Sequence, residues 1–311
     1  LCTYSILAVS LNLTVGVLGE LSLGHAGFMC VGAFSSAFFT ACMKDTITND
    51  LLRFILAFVV AAVCAGICGI LIGIPVLRLK GDYLAIVTLA FGEIIMNIIN
   101  ALYIGRDENG FHFSMKDSMS LNMSDSGKII IKGAQGITGT ARQSTFTIGI
   151  ILLLLTLVVV LNLMNSRSGR AIMSIRDNRI AAESVGIDVT KYKIMAFAIS
   201  ASLAGLAGCL YAHNLSSLTA LPKNFGYNMS IMILVYVVLG GMANMRGSII
   251  AAVLLTIIPE LLREIGEYRM LIYAVIMIVM MIFNWSPKVR EWRKAHSIKG
   301  AFHKKNVKEA E

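Results

Sequence analysis

An all-α, polytopic transmembrane helical bundle is the fold class this sequence predicts, and three observations predict it. Of 311 residues, 57% are hydrophobic and 14% are charged, against roughly 25% charged in soluble domains. Mean hydropathy is +0.76, and a soluble domain of this length has too small an interior to hide that much apolar surface. The net charge of +9 is also concentrated. Residues 286–311 carry eight basic side chains against three acidic ones, and residues 166–193 carry six against three. Basic residues that flank apolar spans follow the cytoplasmic positive bias of membrane proteins. A nucleic-acid protein would spread them over a folded face, so no nucleic-acid partner is expected.

Apolar windows fall at 1–18, 22–42, 53–74, 83–104, 144–164, 193–213, 228–245, 247–263 and 268–285. Each is near the 17–25 residues that a bilayer-spanning helix needs, which predicts about 8–9 spans. The stretch "GGMANMRGS" interrupts 228–263 with glycines and Arg246. That region is two short spans or one broken element. The transmembrane domain therefore runs over 1–285, followed by a basic cytoplasmic tail at 286–311. If the 166–192 loop is cytoplasmic as well, an even number of crossings must separate it from the tail, and four windows do. Counting back, 105–143 is an external loop, "LRLKGD" at 77–82 lies inside and 43–52 lies outside. Arg78, Lys80 and Arg246 then all face the cytoplasm. Within 105–143, "GAQGITGT" is expected to turn rather than to form helix. The chain starts at Leu1 inside an apolar run and shows no signal-peptide pattern, which leaves room for a preceding piece.

The six cysteines (Cys2, Cys30, Cys42, Cys64, Cys68 and Cys209) sit almost entirely in apolar runs. With no second pair and no histidine cluster beside them, they read as small buried residues rather than metal ligands. Three ionisable residues fall within spans: His25, Glu93 and Glu260. Charge in lipid is costly, so such residues face the bundle interior. For Glu93 a hydrogen bond to a neighbouring helix is favoured over a place in a translocation path. For His25 the same preference holds, with Ser22 as the helix cap. Gly24, Ala26, Gly27 and Gly32 provide either close packing or an open cavity. The small-residue run "SASLAGLAG" at 200–208 reads as a helix-packing surface.

"SIRDNRIAAESVGIDVTKYKIMAF" at 174–197 opens with a polar stretch set between two greasy runs. Between Ser166 and Tyr192, Ile172, Ile175, Ile180, Val185 and Ile187 recur at irregular helix-like spacing, with alanines between. Such a pattern lets a short helix lie flat and accept another surface, and Gly186 offers a place to stop it. A docking helix is preferred here over an interfacial helix without a partner.

"GRAIMSIRDNRIAAESVGIDVTKYKIMAFAISASLAGLAG" resembles the cytoplasmic coupling loop and following span of the branched-chain amino-acid ABC importer permeases. "GVLGELSLGHAGFMCVGAF", "LRLKGDYLAIVTLAFGEI" and "GGMANMRGSIIAAVLLTIIPELLR" are similar, in order and spacing, to other segments of their LivM-type subunit. The resemblance implies an ABC importer permease fold in a bacterial inner membrane. It also implies a second, LivH-like permease subunit, two ATPase subunits, an external solute-binding protein and surrounding membrane lipid. Arg176, Asp177, Asn178, Ala181, Ala182, Glu183 and Gly186 match the motif that inserts into the ATPase. The Leu-Pro that closes this motif in many other ABC importers is absent. As ionisable or small residues within spans, His25, Gly27 and Glu93 are the candidates for the translocation path. Permeases for urea and related small solutes are close relatives and stay open as an alternative.

The residues themselves agree on one point. No G-x-x-x-x-G-K-[ST] loop occurs in the chain, so ATP-Mg would be used by partner subunits and no cofactor is expected in this one. No nucleophile–base set or metal spacing suggests an enzyme. A stand-alone secondary transporter or channel would need a coupling-ion site, typically paired acids at mid-membrane, and Glu93 has no obvious acidic partner.

Overall fold

The structure is a computed structural model. It describes residues 1–262 apart from 45, 77–78, 80, 108–109, 117–120, 122–126 and 141, and beyond them residues 271–272, 274–275, 277–279 and 282. The chain divides into two units, Leu1–Val253 and Leu254–Glu311.

In the first unit, α1 (Cys2–Asn12) continues into a π-helical segment, Leu13–Leu18. Next come α2 (His25–Cys42), α3 (Asp50–Val76) and α4 (Asp82–Ala101). The strands β1 (Tyr103–Asp107), β2 (Gly110–Ser114), β3 (Lys128–Lys132) and β4 (Ile137–Thr138) precede α5 (Phe146–Asn165). Two short helices, α6 (Arg167–Asp177) and α7 (Arg179–Ser184), lead into α8 (Val189–Ala212). After β5 (Ser217–Leu218) the chain makes α9 (Pro222–Phe225), α10 (Tyr227–Gly240) and α11 (Met245–Leu261), the last reaching into the second unit. In that second unit the described residues between 271 and 282 are helical, within the 268–285 window. The basic tail, Arg78 and Lys80 lie outside the described residues.

Among the described residues, α2, α3, α4, α5 and α8 are long and apolar enough to cross a membrane, and Cys2–Leu18 is a shorter apolar helix. Their bounds match the apolar windows to within a few residues. The 228–263 region is two helices joined by a four-residue turn, with Gly241 at φ 93° and Ala243 at φ 63°. The β-structure is the departure from all-α. β2, β1 and β3 form an antiparallel sheet, and β4 pairs with β5. Strands of two to five residues are too short for a period of two to stand out in sequence.

α8 is the central helix. Ser200, Ala201, Ala204, Gly205, Ala207 and Gly208 on it are all buried. A Cβ on Gly205 would lie 2.6 Å from the Ala61 carbonyl of α3, while Gly32 of α2 packs onto the Gly205 backbone from another side. Small residues let helix backbones approach closely, which is how helices gain packing energy in lipid. The 200–208 run is thus the packing surface that its composition predicts. α3 and α5 show the opposite pattern. Ile55, Val59, Val63, Ile67 and Leu71, and Ile151, Leu154 and Val158, point outward and are exposed. Apolar surfaces this large are unfavourable in water and natural against lipid.

Candidate functional site

The polar segment between α5 and α8 is built by local rules. Ser166 caps α6, its hydroxyl accepting from the Gly169 N–H at 3.1 Å. Gly169, Ile172 and Ile175 are the buried face of α6. The helix stops at Asn178, and the chain restarts at once as α7. The Asn178 side chain accepts from the Ala181 N–H at 3.1 Å, an N-cap. Sequence reading saw one flat helix here; the cap at Asn178 makes it two. α7 is closed off just past its C-cap by Gly186, whose φ is 84°. The Gly186 N–H donates to Glu183 O and the Ile187 N–H to Ala182 O, which is a Schellman closure. Asp188 then caps α8 through the Lys191 N–H, so α8 begins inside what was read as loop up to 192.

The seven motif residues divide between two faces. Ala182 is buried with Ile175 and Val189 under α7. Asp177, Asn178, Ala181, Glu183 and Gly186 are exposed. Arg179 and Glu183 form an ion pair at 2.9 Å along the outer side of α7. Ile180 and Val185, which the motif does not include, are 79% and 75% exposed. Two aliphatic side chains left bare, one on a six-residue polar helix and one at its C-cap, are the feature that sequence reading did not single out as contacts. Arg176 is exposed too, but its guanidinium reaches back to the bundle: its Nη1 donates to Gly16 O at 2.9 Å, and it pairs with Asp177 at 2.9 Å. Nearby, Lys193 and Glu20 form a largely buried ion pair. Together these tie the segment to the end of the first helix.

The three membrane candidates lie elsewhere. His25 is buried, and its Nε2 sits 2.7 Å from Ser10 Oγ on α1. The Ser10 hydroxyl also lies 2.9 Å from Leu7 O. Ser200 Oγ donates to Ser10 O at 2.6 Å, which joins α1, α2 and α8 at one level. Gly27 lies against α4, where a Cβ would stand 2.7 Å from Gly92 Cα. Of packing and an open cavity, it serves packing. Ser22 does not cap α2. The N-cap is Gly24, and Ser22 Oγ, though buried, finds no partner among the described residues. Neighbouring hydroxyls serve this end instead: the Leu23 N–H donates to Thr88 Oγ1 at 3.0 Å and the Ala26 N–H to Ser230 Oγ at 3.2 Å. Glu93 accepts the Tyr227 N–H, at the start of α10, at 2.6 Å. The described residues hold no group of three or more His, Cys, Asp or Glu able to bind a metal ion.

The family model described as "Branched-chain amino acid transport system / permease component" matches residues 1–283. The chain belongs to this family. It is a multi-pass membrane permease. The high-affinity branched-chain amino acid transport system permease protein LivM of Salmonella typhimurium (strain LT2) is 35% identical over 294 residues, 92% of this chain and 67% of the relative. LivM of Escherichia coli (strain K12) shows the same identity and coverage. A probable branched-chain amino acid transport permease protein LivM from Methanocaldococcus jannaschii is 27% identical over 63% of this chain and 52% of its own length. No solved structure matches significantly.

Proposed function

We propose that this permease is one membrane subunit of an ATP-driven importer for branched-chain amino acids in a bacterial inner membrane. It alternates between outward and inward openings while separate subunits bind and hydrolyse ATP-Mg. A second permease subunit, two ATPase subunits and an external solute-binding protein complete the assembly. The observation that carries the coupling is the bare outer face of α7 and its C-cap, where Ile180 and Val185 flank the Arg179–Glu183 pair. An apolar contact ringed by charge is the make-up of a protein interface core and its rim. The inward ties of Arg176 and Lys193 supply the other requirement, a rigid hold on the bundle.

Ile180→Asp and Val185→Asp test the reading. Each places a carboxylate in the proposed contact, and losing such an anchor costs ~2 kcal/mol or more. Both variants are expected to insert normally, to lose co-elution with the ATPases, and to lose uptake. Variants that still co-elute and transport at the wild-type rate would overturn the docking face. Gly186→Arg is a poorer probe, because a side chain at φ 84° strains the backbone by itself.

Orientation is open to a separate measurement. In a background without the six native cysteines, Lys116→Cys on the 105–143 loop is expected to react with an impermeant thiol reagent added to whole cells. Thr190→Cys, at the start of α8, is expected to react only after permeabilisation. The opposite labelling would invert the topology.

A further inference from the structure

Asn12 is fully buried in the first helix, and its side chain is spent entirely on another part of the chain. Its Oδ1 accepts the Ala243 N–H at 2.9 Å, and its Nδ2 donates to Ser248 Oγ at 2.9 Å. Ala243 lies in the turn that joins α10 and α11, and Ser248 in the first turn of α11. Ala243 holds φ 63°, a conformation unfavourable for alanine by about 1–2 kcal/mol. A strained residue persists only where its surroundings over-determine it, and the Asn12 hydrogen bond to its amide is such a restraint. Immediately after Asn12 the helix widens to π geometry over Leu13–Leu18. Single π turns inside helices cluster at functional sites. Gly16 sits in this segment with the turn against its α-carbon: a Cβ there would come 2.9 Å from Ala243 Cα. Its carbonyl, at a helix end that leaves acceptors unpaired, takes the Arg176 guanidinium from α6. The Arg176 stem crosses Gly19, where a Cβ would lie 2.6 Å from Arg176 Cγ. One turn of helix therefore touches the polar segment on one side and the strained turn on the other.

We propose that Asn12 is a positioning residue for transport: movement of α6 reaches the α10–α11 turn through Arg176, the π-helical segment and Asn12. The π segment is the deformable piece. Drawing it toward regular α geometry shifts its register against the turn and loosens the Asn12 hold on Ala243. The turn is then free to leave its strained conformation. This inference rests on the ATPase-coupled reading, because it supplies the route along which that coupling acts inside the permease.

The test uses the assembled complex in proteoliposomes, with uptake and ATP hydrolysis measured on the same sample. Co-elution of the wild-type chain with the ATPases is established first. Its failure would count against the partner reading, separately from the effect of any variant. Asn12→Ala is then expected to keep co-elution and hydrolysis while uptake falls at least about fivefold, the lower end of ordinary inter-site coupling. Ser248→Ala removes one of the two hydrogen bonds, and a smaller rise in ATP spent per molecule transported is expected. The double variant should be no worse than Asn12→Ala alone. If Asn12→Ala does not assemble, the Ser248→Ala ratio decides. A ratio equal to wild type in the assembled variants, or uptake and hydrolysis falling together, overturns the proposal.

Discussion

Gly205→Leu is expected to abolish the folded bundle. At this residue α8 meets α3, where a Cβ would stand 2.6 Å from Ala61 O, and α2, whose Gly32 rests on the Gly205 backbone. Overpacking a core ordinarily costs about 1–3 kcal/mol, with side chains that can move aside. Here the obstacles are the Ala65 Cβ at 2.5 Å and the Ala61 carbonyl at 2.6 Å, both on α3, neither of which can rotate aside, and the added side chain has four heavy atoms. The total stability of a domain is only about 5–15 kcal/mol. Helices in lipid are held mainly by close packing and hydrogen bonds, so separating α8 from two neighbours removes much of what holds the bundle. Gly205→Ala, with a single added methyl, should give an intermediate loss. Thermal unfolding and size exclusion in detergent check both variants. A monodisperse Gly205→Leu protein melting within a few degrees of wild type would show that the helices separate freely at this crossing.

The parts of this fold legible in sequence are those that repeat over many residues. Apolar windows gave the bounds of α2, α3, α4, α5 and α8 closely, because a span is long enough for composition to average out local exceptions. The role of 200–208 was legible for a related reason: a run of glycine, alanine and serine inside a span has little use except close approach. Caps were harder. Ser22 looks like an N-cap by residue type, yet Thr88 and Ser230 on other helices serve that end. A cap chosen by tertiary contact leaves no local pattern. The tie made by Arg176 was hidden in the same way. Its place in a polar loop accounts for its exposure, but the acceptor that holds its guanidinium, Gly16 O, is 160 positions away in the chain. Asn12 and Ser10 carried a signal that went unused: polar residues in the middle of the 1–18 window. Lipid makes unpaired polar groups expensive, so each predicts a partner on another helix, though not which one.

Glu93→Leu is expected to destabilise the protein substantially, and Glu93→Gln hardly at all. α10 starts at Tyr227 with Gly226 as its N-cap, and glycine has no side chain to accept the first amides. Glu93 of α4 fills that role from another helix, through the 2.6 Å bond to the Tyr227 N–H. A carboxylate there also faces the positive end of the helix dipole, worth about 0.3–1 kcal/mol at an exposed site and up to ~2 in partly buried ones. The rest of this stretch is tied to the same helix, since Asn100 Nδ2 donates to Ala220 O at 2.8 Å. Leucine at 93 removes the acceptor, and a hydrogen bond to a charged group contributes about 1.5–3 kcal/mol. Glutamine keeps the amide oxygen as acceptor and gives up only the charge. The melting temperature should therefore fall clearly for Glu93→Leu and slightly for Glu93→Gln, with uptake following assembly in each. A role in the translocation path makes the other prediction: Glu93→Gln would fold and assemble normally yet lose uptake, because the charge itself would be what the substrate or the gate requires. Melting temperature, co-elution and uptake measured on both variants separate the two. A well-assembled Glu93→Gln protein without transport would move Glu93 from the helix cap to the path.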